Sequence, residues 1–110
     1  IIIRDNLIER EFGEADGIKI TDNVYEKILN DGYYKMEKST TIRKRAYNEI
    51  LALDQIYPNK KILVVTHSHF IKALFTQLDQ SLTFKSSLAN GSLNFVEIDN
   101  GKIINFKFNQ

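Results

Sequence analysis

Residues 60–78 read KKILVVTHSHFIKALFTQL, and their pattern changes once, at a histidine. Residues 62–65 are four apolar residues in a row without alternation, which is typical of a strand covered on both faces. Residues 70–78 repeat apolar side chains at helical spacing. We therefore predict a buried strand at residues 60–66 that ends at His67 and passes directly into a helix.

The junction between this strand and helix is a candidate site for an anion. Ligands in open α/β sheets bind at the carboxyl ends of strands, and the free N–H groups that begin a helix attract negative charge. Here those groups belong to Ser68, His69 and Phe70, directly after His67. A protonated His67 can also donate a hydrogen bond to a phosphate oxygen or stabilise a phosphoryl group during its transfer. The pattern therefore favours phosphate chemistry at this junction.

Two other interpretations of the junction stay open. His67 is equally well explained as a histidine that ends a strand and has no role beyond its local hydrogen bonds. His67 and His69 also have the spacing of a metal-binding pair, but the chain has no cysteine and no third ligand at a recognisable spacing. We therefore expect neither a metal nor a cofactor.

Two further helices are predicted before the junction. The first is capped at residues 21–22, both of them good N-cap types, and ends at the turn of residues 30–32. The second starts near Ser39 and stops at Pro58, which cannot continue a helix. Its apolar stripe faces the core and leaves Glu49 on the surface.

Strands are predicted at both ends of the chain. Residues 1–4 open with three isoleucines, which are typical of a strand rather than of a solvated terminus. Residues 93–98 and 103–108 are apolar runs joined through Asn100-Gly101, which is a strong hairpin signal. The order strand, helix, helix, strand, helix, hairpin predicts an α/β layer fold.

Composition limits the classes of function. A net charge of +1 over 110 residues gives no excess of basic side chains for binding nucleic acid. No apolar run approaches the roughly 18 residues that cross a bilayer, and no signal peptide opens the chain. We therefore expect a single cytoplasmic domain, residues 1–110, that binds neither nucleic acid nor a membrane.

Four segments of the sequence resemble the histidine phosphatase superfamily, a phosphoglycerate-mutase-like family. Residues 64–74 (VVTHSHFIKAL) are similar to its second-histidine motif, and residues 7–17 (LIEREFGEADG) to its Leu-x-Glu-x-x-(Phe/Tyr)-Gly-x-x-x-Gly motif. Glu37 and Arg45 match a third segment, and we expect them to pair on a solvated helix face. Residues 88–92 match a fourth. The four matches keep the family order and cover nearly the whole chain.

The resemblance implies a fold, a reaction and a set of site residues. The fold is an α/β three-layer sandwich with a mostly parallel sheet, helices on both faces and a C-terminal hairpin, here lacking the family's first strand and helix. The reaction transfers a phosphoryl group from a phosphate monoester through a phosphohistidine. Glu9 would be the acid that protonates the leaving oxygen, and His67 the second catalytic histidine. Arg10 would contact the substrate, and Ser68 and His69 would form the phosphate-binding turn.

The departures from the family pattern concern the first half of its site. No Arg-His-Gly motif supplies the histidine that takes the phosphoryl group, since the only histidines are His67 and His69. A second phosphate-binding arginine, in a Ser-x-x-x-Arg-Ala segment, is also absent, and Ser68 replaces the usual glycine. We therefore expect the C-terminal part of a truncated domain, inactive alone. Its expected partners are a small-molecule phosphate ester and either its own missing N-terminal segment or a second copy in a homodimer.

Two hypotheses for the function follow. The first is a phosphatase or phosphoglycerate mutase, and the short connection between Gly17 and Glu37 favours a broad phosphatase by analogy with the family. The second is a non-catalytic module, a pseudo-enzyme that binds phosphate or another protein.

Overall fold

The chain folds into three α-helices and one antiparallel hairpin in a computed structural model that describes all 110 residues. Two short 3-10 turns, Asp5–Leu7 and Gly13–Ala15, precede the first helix. The helices and strands are α1 (Asp22–Leu29), α2 (Ser39–Ile56), α3 (Ser68–Phe75), β1 (Phe95–Asp99) and β2 (Lys102–Lys107). None of the helices has both the length and the apolar character that crossing a bilayer requires.

All three predicted helices are confirmed, and each begins where its sequence signal lies. Thr21 caps α1 because its Oγ1 accepts a hydrogen bond from the N–H of Val24, 3.3 Å away. α2 ends at Ile56, two residues before Pro58. α3 begins directly after His67, whose extended backbone (φ −120°, ψ 165°) is that of an N-cap residue.

The main core lies between α2 and α3. Ile42 of α2 is fully buried in one cluster with Phe70 and Ala73 of α3. The hairpin covers this cluster, and Phe106 of β2 packs against it. Burial of each large apolar side chain contributes about 1.5–3 kcal/mol. The packing therefore fixes the start of α3, and with it His67, relative to α2.

The predicted hairpin is confirmed, including its turn. β1 pairs antiparallel with β2, with Phe95 opposite Lys107. Asn100 and Gly101 both have positive φ, 55° and 73°, which is what the two central residues of a type I′ turn require.

The strands predicted at residues 1–4 and 60–66 are not formed. Neither segment makes the backbone hydrogen bonds of a sheet, and Leu63 and Val65 are each 83% exposed. A strand exists only as part of a ladder with a neighbouring strand, and neither segment pairs with another part of the chain. Ile62 lines a cleft of about 800 Å³ together with the hairpin. The segment at residues 60–66 and the hairpin were predicted to belong to one sheet, and in the structure they line the same cleft without pairing.

The predicted fold class is therefore confirmed only in its coarse form. The chain is a mixed helix-and-strand fold, and its only sheet is the antiparallel hairpin. The mostly parallel sheet with helices on both faces is not formed by these residues.

A second correction concerns Glu49 of α2, which was predicted to lie on the surface. Glu49 is 2% exposed and forms an ion pair with Arg4. A buried carboxylate needs such a partner, because burial without one is costly. The pair attaches the start of the chain to α2.

Candidate active site at the start of α3

Glu9 lies in the irregular segment between the two 3-10 turns, and its carboxylate reaches the start of α3. Oε1 accepts a hydrogen bond from the N–H of Arg10 at 2.8 Å, and Oε2 accepts one from the N–H of His69 at 3.3 Å. His69 is the second residue of α3, so its N–H is one of the donors that a helix leaves free at its N-terminus. The carboxylate therefore lies at the positive end of the α3 dipole.

His67 lies at the same end of α3, as its N-cap. Its side chain is exposed and makes no capping hydrogen bond, while its carbonyl oxygen accepts from the N–H of Ile71 at 3.0 Å. The N–H groups of Ser68 and Phe70 have no acceptor within the chain. The structure thus brings the Glu9 carboxylate, the exposed residue His67 and free helix N–H groups to one helix end.

The side chain of His69 belongs to the interior. Its ring packs edge-on against Phe12, with ring centroids 5.1 Å apart, and stacks on Phe84 at 5.2 Å. Burial lowers the pKa of His69 to about 4, against the opposing effect of the Glu9 carboxylate. The imidazole is therefore neutral at neutral pH, and its buried Nδ1 has no hydrogen-bond partner. The hydrogen bond from His69 to Glu9 comes from the backbone N–H.

Arg10, the predicted substrate contact, is enclosed by the protein. Its side chain is 0% exposed, its Nε donates to the carbonyl oxygen of Glu37 at 2.9 Å, and one terminal nitrogen donates to Oδ1 of Asp31 at 2.6 Å. The guanidinium carbon lies 5.2 Å from the ring centre of Phe84. The other terminal nitrogen, NH1, is buried without a partner. Substrate contact by Arg10 stays a prediction; here the side chain ties the Glu9 segment to the chain between α1 and α2.

Asp31 supports the site, and the sequence did not indicate it. Its Oδ1 accepts from the N–H and the hydroxyl of Ser39, at 3.1 and 2.7 Å, as well as from Arg10. Burial alone would raise the pKa of Asp31, but the hydrogen bonds from Ser39 and the charge of Arg10 hold it below its usual range. Sequence reasoning treats Asp31 only as part of the turn that ends α1, because its partners are distant along the chain.

The predicted pairing of Arg45 with Glu37 is confirmed, but the face that carries it is not solvated. Nε and NH2 of Arg45 donate to the two carboxylate oxygens of Glu37, both at 2.9 Å. The two side chains are only 17% and 13% exposed. A cleft of about 420 Å³ is lined by this pair together with Glu9 and Arg10. The pair therefore forms part of the wall beside the candidate acid.

Lys72, the basic residue of the second-histidine motif, is committed to the interior. Its Nζ donates to the carbonyl oxygen of Phe84 at 3.1 Å, and the hydroxyl of Tyr25 donates to the same oxygen at 2.6 Å. Burial lowers the pKa of Lys72. No group of three or more metal-ligating side chains comes together in the chain. Around the start of α3, the side chains of Glu9, His67 and Ser68 thus remain open to a ligand.

Comparison with known proteins identifies a family. The model of the histidine phosphatase superfamily (branch 1) matches residues 1–110. The chain is also 31% identical over 78 residues to the Bacillus subtilis (strain 168) protein named "uncharacterized phosphatase PhoE". That match covers 71% of this chain and 40% of the relative. No solved structure matches the chain.

The family match and the geometry concern the same residues. The two motifs that carry Glu9 and His67 lie far apart in the sequence, and the structure brings the Glu9 carboxylate to the helix end at which His67 is the N-cap residue. Because the family model also matches every residue from the first to the last, this chain belongs to the histidine phosphatase superfamily.

Proposed function

We propose that this chain carries the acid and the second histidine of a phosphatase that acts on phosphate monoesters through a phosphohistidine. In this proposal Glu9 protonates the leaving oxygen, and His67 binds the phosphoryl oxygens. Residues 1–110 contain no Arg-His-Gly motif, so the chain by itself binds phosphate without turning over an ester.

The hydrogen bond between Glu9 and His69 carries the proposal. It brings a carboxyl group to the helix end that His67 caps. A general acid must approach within about 3 Å of the oxygen that it protonates. An anion bound by the first N–H groups of α3 would meet this requirement, because Glu9 already contacts one of those groups.

The proposed chemistry divides into charge stabilisation and proton delivery. The free N–H groups of Ser68 and Phe70 and the exposed imidazole of His67 donate hydrogen bonds to the phosphoryl oxygens. As the bond between phosphorus and the leaving oxygen breaks, that oxygen takes the proton from Glu9, which becomes a carboxylate. The phosphoryl group itself moves to a histidine that residues 1–110 do not contain.

Two observations favour a phosphatase over a mutase. The Bacillus subtilis relative is named a phosphatase, and its match covers 71% of this chain. The connection between Gly17 and Glu37 is also short, and its only regular element is the eight-residue helix α1.

Binding of inorganic phosphate to the full chain tests the site. In an NMR titration the amide shifts of Ser68 and Phe70 should change most, because their N–H groups are the proposed backbone donors. His67→Ala should weaken binding about tenfold, the contribution of one charge-assisted hydrogen bond. Lys102→Ala removes an exposed positive charge from the hairpin and should leave the affinity unchanged. Equal affinities in His67→Ala and the wild type would show that phosphate binds elsewhere.

Turnover tests the other half of the proposal. We expect no hydrolysis of an aryl phosphate above background between about pH 5 and 8, because a phosphohistidine cannot form without its histidine. Hydrolysis that disappears in His67→Ala would show instead that the chain is active alone. If neither phosphate binding nor hydrolysis is found, the protein-interaction module becomes the better hypothesis.

A further inference from the structure

We propose that the Arg45–Glu37 pair positions Glu9 against the start of α3. The pair holds both sides of the acid segment, defined here as residues 6–11, and leaves the Glu9 carboxylate free to reach His69. This inference deepens the proposed function and rests on it for the role of Glu9 as an acid. Arg45 and Glu37 are assigned as positioning residues, which act through Glu9 and do not touch the substrate.

Arg45 holds the acid segment on the N-terminal side of Glu9. Its NH1 donates to the carbonyl oxygens of Asn6 at 2.8 Å and Ile8 at 2.9 Å. Its other two nitrogens donate to the carboxylate of Glu37. One guanidinium therefore makes four hydrogen bonds at once. The single ammonium group of a lysine cannot reproduce this fork.

Glu37 holds the acid segment on the C-terminal side of Glu9. Its backbone N–H donates to the carbonyl oxygen of Glu11 at 2.7 Å, and its Oε1 accepts from the N–H of Glu11 at 3.3 Å. Its own carbonyl oxygen accepts from Nε of Arg10 at 2.9 Å. The two residues that follow Glu9 are thus both bound to Glu37.

The same guanidinium also contacts α3. Its central carbon lies 5.6 Å from the ring centre of Phe70, the residue after His69. Phe70 is 1% exposed and part of the main core, so its position is fixed by close packing. Arg45 therefore contacts both the segment that carries the Glu9 acceptor and the helix that carries the His69 donor.

Enclosure distinguishes this pair from an ordinary surface ion pair. Water competes for both partners of an exposed pair, which therefore holds its geometry poorly. Arg45 and Glu37 are largely shielded from solvent, and their two-bond contact fixes direction as well as distance. Because this contact is fixed, the acid segment that it holds is fixed as well, and the Glu9 carboxylate stays directed at the N–H of His69.

The Glu9–His69 hydrogen bond supplies the readout for a test. In the full chain at neutral pH, the amide shift of His69 should change when Glu9→Gln removes the charge of the acceptor. NMR spectra recorded with and without the Glu9→Gln substitution, in the wild type and in each variant below, measure the amplitude of that change. Arg45→Lys keeps the charge and loses the fork, so we expect the amplitude to fall at least about twofold.

Arg43→Lys is the matched control, since it makes the same substitution on the same helix. Arg43 donates from Nε to the hydroxyl of Thr76 at 3.3 Å and makes no hydrogen bond to the acid segment. This variant should keep the wild-type amplitude. If Arg45 only stabilises the fold, Arg45→Lys will lower the melting temperature and leave the His69 amplitude unchanged, and that result overturns the proposal.

Glu37→Gln decides the question if Arg45→Lys does not fold. Glutamine keeps the size of Glu37 and one acceptor oxygen, but its NH2 group cannot accept from Arg45. A reduced His69 amplitude in this variant supports the positioning role, and a wild-type amplitude overturns it.

The positioning role and the proposed function can fail separately. If phosphate does not bind at residues 67–70 but the His69 amplitude falls in Arg45→Lys, the positioning role stands and the phosphate site is wrong. If phosphate binds there and the amplitude is unchanged, the phosphate site stands and the positioning role is wrong.

Discussion

The backbone N–H of His69 donates a hydrogen bond to the carboxylate of Glu9, with 3.3 Å between the nitrogen and Oε2. This contact brings a negative charge to the helix end where the proposed phosphoryl group binds. A carboxylate and a phosphate anion repel each other at such distances. Protonation of Glu9 removes the repulsion, and a protonated carboxyl is also what the proposed acid requires.

Replacing Glu9 with glutamine should therefore strengthen the binding of inorganic phosphate. Glutamine has the size of a protonated glutamate and can donate a hydrogen bond, but it carries no charge. We expect the Kd at neutral pH to fall about three- to tenfold, from relief of roughly 1 kcal/mol of repulsion at a partly exposed site. An NMR or calorimetric titration with inorganic phosphate measures the Kd of the wild type and of Glu9→Gln.

Glu14→Gln is the control for that prediction. It removes the same charge from an exposed residue of the neighbouring 3-10 turn. Solvent and salt screen such a charge, so the Kd should change by less than about twofold. If Glu9→Gln binds phosphate no better than Glu14→Gln, the Glu9 carboxylate does not adjoin the phosphate site.

The buried imidazole of His69 should make the protein less stable in mild acid. Burial lowers its pKa to about 4 in the folded chain, against about 6.5 in an unfolded chain. Between these values the unfolded chain binds a proton that the folded chain does not. The free energy of unfolding therefore falls as the pH falls from about 6.5 to about 4, by roughly 2–3 kcal/mol.

Urea unfolding of the wild type and of His69→Phe, at pH 7 and near pH 4.5, measures this effect. Phenylalanine supplies an aromatic ring for the contacts with Phe12 and Phe84 but cannot bind a proton. In His69→Phe, the loss of unfolding free energy between pH 7 and about pH 4.5 should therefore be smaller than in the wild type by most of that amount. The same loss in both proteins would mean that other groups cause it.

Gly13 should resist replacement, because another part of the chain lies directly against it. Its φ is 57°, and an added Cβ would lie 2.3 Å from the carbonyl oxygen of Tyr34. Gly13→Ala should lower the free energy of unfolding by roughly 2–4 kcal/mol, from left-handed backbone strain and overpacking together. Gly17→Ala is the matched control, since Gly17 also has a positive φ, of 80°, but nothing within 4 Å.

The control separates the two contributions. Gly17→Ala should show only the backbone strain, roughly 1–2 kcal/mol in thermal or urea unfolding. If both substitutions lower the free energy of unfolding by the same amount, the close approach of residues 34–36 adds nothing at Gly13.

The elements predicted from the sequence are those whose signals are local. Thr21 caps α1 through its own side chain, and Asn100-Gly101 forms its turn without help from the rest of the chain. The strand expected at residues 60–66 depends instead on a neighbouring strand, and its apolar pattern says nothing about whether that neighbour is present.

The same distinction between local signals and distant partners applies to the residues of the candidate site. Motif resemblance pointed to Glu9 and His67, and the structure brings them to one helix end. Glu49 looked like a surface residue of α2 because its partner, Arg4, lies 45 residues away in the sequence. Asp31 looked like a turn residue for the same reason. Tertiary partners of charged side chains leave no periodic signal in the sequence.

Asp31→Asn should weaken the support of the buried Arg10 guanidinium. Asparagine tolerates the positive φ of 55° at this position and keeps the side-chain shape, so mainly the charge is lost. The unfolding free energy should fall by roughly 2–3 kcal/mol, less than for a fully buried pair because Asp31 is partly exposed. Asp79→Asn is the control. Asp79 accepts the same two bonds from Ser81 without a buried cation, and about 1 kcal/mol or less should be lost. Equal losses in urea unfolding would show that Arg10 does not depend on Asp31.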